Sequence, residues 1–307
     1  IFNMQIMSLF TALPGAAAQG LIWGIMAIGV YITFRILDIA DLTVDGTLCT
    51  GGAVCIMMML SGHNVWISML AATGAGLLAG FATGIFHTFM GIPAILAGIL
   101  TQLSLYSVNL KIMGKANQAI NVDKFNLLVS LRRVKGVALT QNTLFIVAIM
   151  IIILIAVLYW FFGTELGCSL RATGCNPSMS RAQGINTDRN KVLGLMLSNG
   201  LVALSGALLT QYQGFADINM GRGSIVIGLA AVIIGEAIFS RIFRNFALKL
   251  LSVVFGSILY YLVLQIVIWM GIDTDLLKML SALVVAFFLA FPYWKGKYFT
   301  KAKQGGK

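Results

Sequence analysis

The sequence predicts an all-α protein that crosses a membrane about eight or nine times. Two of the helices are discontinuous, and the two halves read as inverted copies. Three observations carry this expectation. Of 307 residues, 59% are hydrophobic and only 10% charged, with a mean hydropathy of +0.93; soluble proteins carry roughly 25% charged residues. Apolar runs of spanning length recur along the chain. Finally, one polar interruption is written twice. Ile39-Ala40-Asp41-Leu42-Thr43-Val44-Asp45-Gly46-Thr47 returns as Phe215-Ala216-Asp217-Ile218-Asn219-Met220-Gly221-Arg222-Gly223-Ser224, with one residue added. The match continues beyond the break, Gly46 and Gly51 corresponding to Gly223 and Gly228, and Ala53 to Ala230. Paired, glycine-interrupted breaks in corresponding halves point to a transport site.

The elements follow in order. A span needs about 20 apolar residues, and the candidate runs are 14–37, 46–62, 65–90, 92–110, 142–162, 191–213, 224–240, 247–270 and 276–293. The two that follow the breaks are short, as expected of discontinuous helices lining a pathway. His63-Asn64 and Gly91-Ile92-Pro93 are tight turns between neighbouring helices. Gly76, Gly80 and Gly84 form a ridge of small residues on the third run, a surface for close helix packing within the subunit. Met57, Met58 and Met59 are expected to fill gaps in packing. The tryptophans, including Trp23, Trp66 and Trp160, fall mostly near run ends and fit an aromatic belt. The chain reads as one transmembrane domain over 1–307, with halves of roughly 14–110 and 191–293 joined by the helix 142–162 and a polar loop over 163–190.

Several functions are set aside by composition. The chain has no Gly-x-x-x-x-Gly-Lys-Ser/Thr loop, so any ATP chemistry must come from a partner. The formal net charge of +11 suggests nucleic acid only for a soluble protein; here the basic residues concentrate in loops and tail, as membrane topology demands. Cys49, Cys55, Cys168 and Cys175 show neither metal spacing nor a disulfide framework. His63 and His87 are isolated and read as interfacial. The first 37 residues lack the form of a signal peptide.

Charge orients the chain. The basic segments 111–140 and 163–191 flank one helix, so they lie on opposite sides. By helix parity 163–191, the loop near 241–249 and the tail share a side that holds most of the 21 lysines and arginines. That side, with the C-terminus, is assigned to the cytoplasm. The basic 111–140 loop is then external, a departure from the charge rule.

The breaks hold the candidate pathway and gating residues Asp41, Thr43, Asp45, Asp217, Asn219 and Arg222. A charge at membrane depth is costly unless paired or facing water, so each is a functional candidate. Asp41 and Asp217 also suit helix capping, near Thr43 and Asn219. Asp45 and Arg222 occupy nearly matching positions with opposite charge, and would either face each other or sit at opposite mouths. Glu236 reads as an interfacial ion pair with Arg241, while Arg35 and Asp38 read as cytoplasmic-interface residues.

The loop Glu165–Lys191 contains Asn176, a helix N-cap residue, Pro177, suited to a first turn, and Gly184, a natural stop. A short helix over about 177–183 is predicted, carrying Arg181 and preceded by Arg171. The run Leu170-Arg171-Ala172-Thr173-Gly174-Cys175-Asn176-Pro177, then Ala182-Gln183-Gly184-Ile185-Asn186-Thr187-Asp188-Arg189, resembles the coupling loop of ABC importer permeases serving branched-chain amino acids, ribose-type sugars and nucleosides. Gly228-Leu229-Ala230-Ala231-Val232-Ile233-Ile234-Gly235 resembles that family's Ala-Ala-Val-x-x-Gly signature, and the segment Asp38 to Gly46 looks like a subgroup found beside binding proteins for tryptophan and related ligands.

The resemblance implies a type II-like permease fold in a bacterial-type plasma (inner) membrane. It further implies a second permease copy, cytoplasmic ABC ATPases that bind ATP and Mg, and an external substrate-binding protein. No cofactor and no metal is expected on this chain, which is not itself an enzyme. Arg171, Asn176, Pro177, Arg181 and Gly184 become the residues expected to couple to the ATPase, and the cargo is a small polar solute, foremost an aromatic or branched-chain amino acid. The rival reading is a secondary transporter driven by an ion gradient through Asp41, Asp45 and Asp217, which needs no docking helix.

Overall fold

The computed structural model describes residues 2–121, 125, 127–134, 142–239, 243, 245–270 and isolated positions between 276 and 290. The ninth predicted run, 276–293, and the lysine-rich tail therefore lie largely outside the described residues, as do Arg241 and Arg244. Among the described residues, six helices are long and apolar enough to cross a membrane, and two shorter apolar helices follow the breaks.

Helix α1 (Phe2–Tyr31) runs on into a π-helical turn, Ile32–Ile36, before the first break. Then come α2 (Val44–Leu60), α3 (Val65–Thr88) and α4 (Ala94–Met113). Helix α5 (Thr143–Gly163) leads to α6 (Glu165–Cys175) and α7 (Pro177–Ala182). The second half consists of α8 (Thr187–Gln213), α9 (Ser224–Phe239) and α10 (Phe246–Trp269). Local chemistry sets the ends. Asn142, Thr164 and Asn186 each cap the helix that follows by accepting a backbone N–H in its first turn. Gly114 and Gly214 close α4 and α8 in the left-handed conformation, with φ of 70° and 81°.

Helices α1 and α8 form the centre of the bundle and run antiparallel. The Tyr212 hydroxyl donates to the Gly15 carbonyl at 3.1 Å, Ser205 to Ile22 at 2.8 Å and Ser198 to Gly29 at 2.8 Å, so sequence number rises on one helix as it falls on the other. The remaining contacts are reciprocal. The largest interfaces are α3 on α8 and α1 on α10; likewise α2 lies along α8 and α9 along α1. The predicted glycine ridge meets α8, Gly76 at Asn199 and Ala203, Gly80 at Leu195, and Gly84 at Val192. It packs the subunit internally, as expected.

Two expectations are corrected. The residues before the short coupling helix are not loop: Glu165–Cys175 is helix α6, capped by Thr164, and carries the exposed Cys168 and Cys175. Trp23 does not belong to an interfacial belt. It is 6% exposed within the core, its ring 5.8 Å from that of Tyr261, whereas Trp66 and Trp160 are exposed near helix ends.

The first strand, β1 (Asn117–Ala119), belongs to the 111–140 segment and pairs antiparallel with β2 (Phe215–Asp217) in the second break. This clasp lies beyond the C-terminus of α8, and α7 lies beside its N-terminus. The two basic segments thus occupy opposite ends of the bundle, as the charge argument required. Within the clasp region Leu128 N–H donates to Gln211 and Arg133 donates to the Leu127 carbonyl at 2.8 Å. That guanidinium fastens the loop to itself.

Candidate functional site

The two breaks meet through their helix starts. Asp45, in the first turn of α2, accepts from Gly223 N–H at 2.9 Å, Ile225 N–H at 3.0 Å and the Ser224 hydroxyl at 2.8 Å. A residue of the first half therefore caps α9 in the second half. Carboxylates favour such sites because the first amides of a helix are unpaired and its dipole is positive there. The backbones close in as well, since a side chain at Gly221 would strike the Asp45 carbonyl. No ion pair joins Asp45 to Arg222 among the described residues. The two line one cavity instead, with Arg222 exposed.

Asp41 and Asp217 are equivalent in geometry as well as sequence. Each carboxylate accepts from the backbone N–H two residues on, Thr43 at 2.9 Å and Asn219 at 2.7 Å. Capping of the local turn is thus the role of both. Their surroundings differ. Asp41 is 2% exposed and takes a second bond, 2.7 Å, from the Asn199 amide midway along α8. Asn199 in turn accepts from Thr47 at 2.7 Å. Thr43 shares a 2.8 Å hydrogen bond with Thr83, which lies 2.9 Å from Thr101. This buried polar chain locks the first break to α3, α4 and α8, and each member satisfies another. Asp217 sits nearer the surface, 3.4 Å from the Asn117 amide of the clasp.

The cavity between α2, α4 and the second break has a volume of about 390 Å³ and is bounded by Asp45, Cys49, Gln102, Tyr106, Asn109 and Arg222 among others. Gln102, Tyr106 and Asn109 were not singled out from sequence, although their spacing of i, i+4, i+7 puts them on one helix face. Helix α4 differs from α5 in what it presents outward. Both helices expose apolar residues, Ile152, Ile153 and Val157 on α5 and Leu100, Leu103 and Val108 on α4, but midway along α4 Ser104, Tyr106 and Ser107 are exposed among them, whereas on α5 the exposed polar rings Tyr159 and Trp160 lie near its end. Polar groups midway along a spanning helix favour a water or protein neighbour.

At the opposite end the predicted short helix forms as α7. Asn176 accepts from Met179 N–H at 3.0 Å, Pro177 occupies the first turn, and Gly184 adopts φ +81° just past the end. Arg181 donates to Thr187 at 2.8 Å and lies 3.6 Å from Asp188, so it braces α7 against α8. Arg171 stands over the Phe246 ring at 5.6 Å, tying α6 to α10. The polypeptide of α6 touches the end of the π-helical turn that leads into the first break: a side chain at Gly174 would strike the Ile36 carbonyl; on α8, one at Gly194 would meet the Leu37 side chain. The Glu236 carboxylate pairs with Arg35 in a bidentate bridge of 2.7 to 3.0 Å, while the expected partner Arg241 lies outside the described residues. The π-helical turn brings Arg35 to the end of α9.

A bundle of apolar helices with two interrupted segments meeting at their N-termini, and an exposed capped helix at one end, defines a membrane transport subunit of the permease class. Comparison with known proteins gives the particular family. The chain belongs to the family described as branched-chain amino acid transport system / permease component, whose model matches residues 13–289. It is 38% identical over 272 residues to a tyrosine transport system permease protein of Clostridioides difficile (strain R20291), covering 89% of this chain and 88% of that one. Over 246 residues it is 25% identical to a fructose import permease protein of Bifidobacterium longum (strain NCC 2705), covering 80% and 67%. Over 230 residues it is 30% identical to an autoinducer 2 import system permease protein of Yersinia pseudotuberculosis serotype O:1b (strain IP 31758), covering 72% and 60%. The chain is a multi-pass ABC importer permease. Membership in this family sets aside the ion-gradient carrier, and the carboxylates such a carrier would use, Asp41, Asp45 and Asp217, are occupied by amide and hydroxyl donors.

Proposed function

We propose that this chain is the membrane half of an ATP-driven importer for an amino acid with an aromatic or branched side chain. The carrying observation is the backbone contact at Gly174 and Ile36, between α6 and the turn that leads into the first break. It supports a short mechanical route from a cytoplasmic ATPase to the pathway. The ATPase, which binds the ATP and Mg, seats against α7, where Asn176, Pro177 and Gly184 fix the helix, Arg181 braces it on α8 and Arg171 holds the preceding α6 on α10. Met179 is 54% exposed on that helix and offers an apolar contact for a cleft. A second permease copy completes the pore against the stretch of α4 that exposes Ser104, Tyr106 and Ser107. An external binding protein delivers ligand to the clasp side, formed in part by the basic 111–140 segment. The membrane is a bacterial-type plasma membrane with the C-terminus in the cytoplasm. The antiparallel pairing of α1 with α8 and the reciprocal contacts support two inverted halves, 14–110 and 191–293, that rock to expose the pathway alternately. The relative named for tyrosine transport supports the amino-acid cargo.

The test is purification of the tagged chain from native membranes in mild detergent, with mass spectrometry of what accompanies it. A stoichiometric nucleotide-binding ATPase is expected, and Met179→Asp should release it without lowering the thermal midpoint of the permease. A chain that purifies alone yet carries solute under an ion gradient would overturn the reading.

A further inference from the structure

We propose that the cavity between α2, α4 and the second break is a recognition site for zwitterionic α-amino acids within the permease itself. The inference rests on the importer reading above and adds to it a residue-level selection step inside the membrane. Two unspent groups line the cavity. The Arg222 guanidinium has neither an ion pair nor a hydrogen bond among the described residues, although a charge at membrane depth is costly without a partner or water. The Asn109 side-chain oxygen is buried with no donor, in a residue only 1% exposed. Buried acceptors are nearly always satisfied, so an orphan at a cavity wall marks a place where a donor arrives.

These two groups ask for opposite things. Arg222 takes a carboxylate, for which the planar guanidinium offers two parallel donors. Asn109 takes an N–H, and the ammonium group of an amino acid supplies one. Asp45 does not compete for that ammonium because both of its oxygens are engaged at the start of α9. Its negative charge nonetheless stays beside the cavity, since Asn109 also reaches the carbonyl of the adjacent Gly46 at 3.4 Å. Among the described lining residues one carries a negative charge and one a positive charge, with Asp217 a further negative group behind Cys49. A net cation is opposed by Arg222 and a net anion by Asp45, whereas a zwitterion meets both. Leu103 and Tyr106 supply the apolar and aromatic wall for the side chain. The volume, about 390 Å³, lies in the range of small-molecule pockets, about 300–1,000 Å³.

The experiment is equilibrium binding to the full-length permease in lipid nanodiscs without the binding protein, run beside uptake by the complete transporter in cells. Probes are L-tyrosine, L-leucine, tyramine, which lacks the carboxylate, 3-(4-hydroxyphenyl)propionate, which lacks the ammonium, and D-ribose. The amino acids should bind, and each truncated analogue should bind at least tenfold more weakly. Arg222→Gln should weaken L-tyrosine about tenfold or more while leaving tyramine unchanged, and Asn109→Leu should do the converse for the propionate. Arg222 is exposed, so its replacement does not disturb a core, and Arg222→Lys should recover part of the affinity. If the isolated permease binds no amino acid while the complete transporter imports one, this site is refuted and the importer reading stands. If D-ribose binds and is imported while amino acids are neither bound nor imported, both fall. If tyramine binds as tightly as tyrosine, the carboxylate is not read by Arg222, and the zwitterion site is refuted while the importer reading stands.

Discussion

Replacing Asp45 severs the link between the two halves at their meeting point. Its carboxylate receives two backbone amides and a hydroxyl from the start of α9, at 2.8 to 3.0 Å. A hydrogen bond to a charged group contributes about 1.5–3 kcal/mol. Three such bonds set an upper bound, which water lowers because Asp45 is only half-buried. Loss of a helix N-cap alone costs about 0.5–2 kcal/mol. Asp45→Ala should therefore destabilise by about 2–4 kcal/mol, and Asp45→Asn, which keeps one acceptor but no charge, by about half that. On the scaling of larger domains this lowers the thermal midpoint in detergent by on the order of 5–10 °C for the alanine variant. The sharper assay is amide hydrogen exchange by mass spectrometry on peptides covering 221–226. Exchange there should accelerate in Asp45→Ala more than anywhere in α10. Unchanged exchange at 223 and 225, with an unchanged midpoint, would show that the shared cap does not hold α9, and the reasoning about the paired breaks would fail.

Other outcomes follow from the same contacts. Gly51→Ala places a methyl group against the α8 backbone at Ala203, 2.6 Å from its Cα, whereas a methyl at Gly74 of α3 meets open space. Fluorescence-detected size exclusion should show Gly51→Ala misassembled or strongly destabilised. Gly74→Ala should be neutral or stabilised by up to about 1 kcal/mol. Reversing Arg35 alone (Arg35→Glu) should impair uptake, and the double exchange with Glu236→Arg should restore part of it, because the bidentate bridge joins α1 to the end of α9. Both groups are partly exposed, so the gain in stability from the pair stays near about 1 kcal/mol and the readout is transport. Gly174→Val should leave ATPase association intact while reducing the amount of solute moved per ATP hydrolysed, measured in proteoliposomes.

Much of this was legible because bilayers leave backbone few choices. Among the described residues the apolar runs from 46 to 270 became helices with bounds close to those expected, while α1 begins at Phe2, well before residue 14, and Asn176, Pro177 and Gly184 set α7 by local capping chemistry that needs no tertiary information. The equivalence of Asp41 and Asp217 was also readable, since an aspartate two residues before an open amide makes the same turn in both copies. What sequence could not supply was the partner of each charge. Glu236 meets Arg35, two hundred and one residues away in sequence, because a π-helical turn and the alignment of α9 along α1 decide proximity. Asp45 went to a helix start rather than to Arg222 for a similar reason, as the amides of α9 arrive by folding. Asn199 and Asn109 look like ordinary polar residues on apolar helices until their neighbours are in place. Helix α6 was missed because its glycines and small polar residues carry little helical pattern, and its cap, Thr164, lies just after a long apolar run.

The approach of Gly174 to the Ile36 carbonyl bears on how far the transporter must travel. Most joints in proteins run through side chains, whose rotamers absorb small displacements before anything beyond them moves. Here bare backbone meets backbone, with no rotamer between α6 and the turn that leads into the first break. On the route proposed above, a push on α6 passes to Ile36 without first being taken up by a side chain, and the travel asked of the motor shortens accordingly.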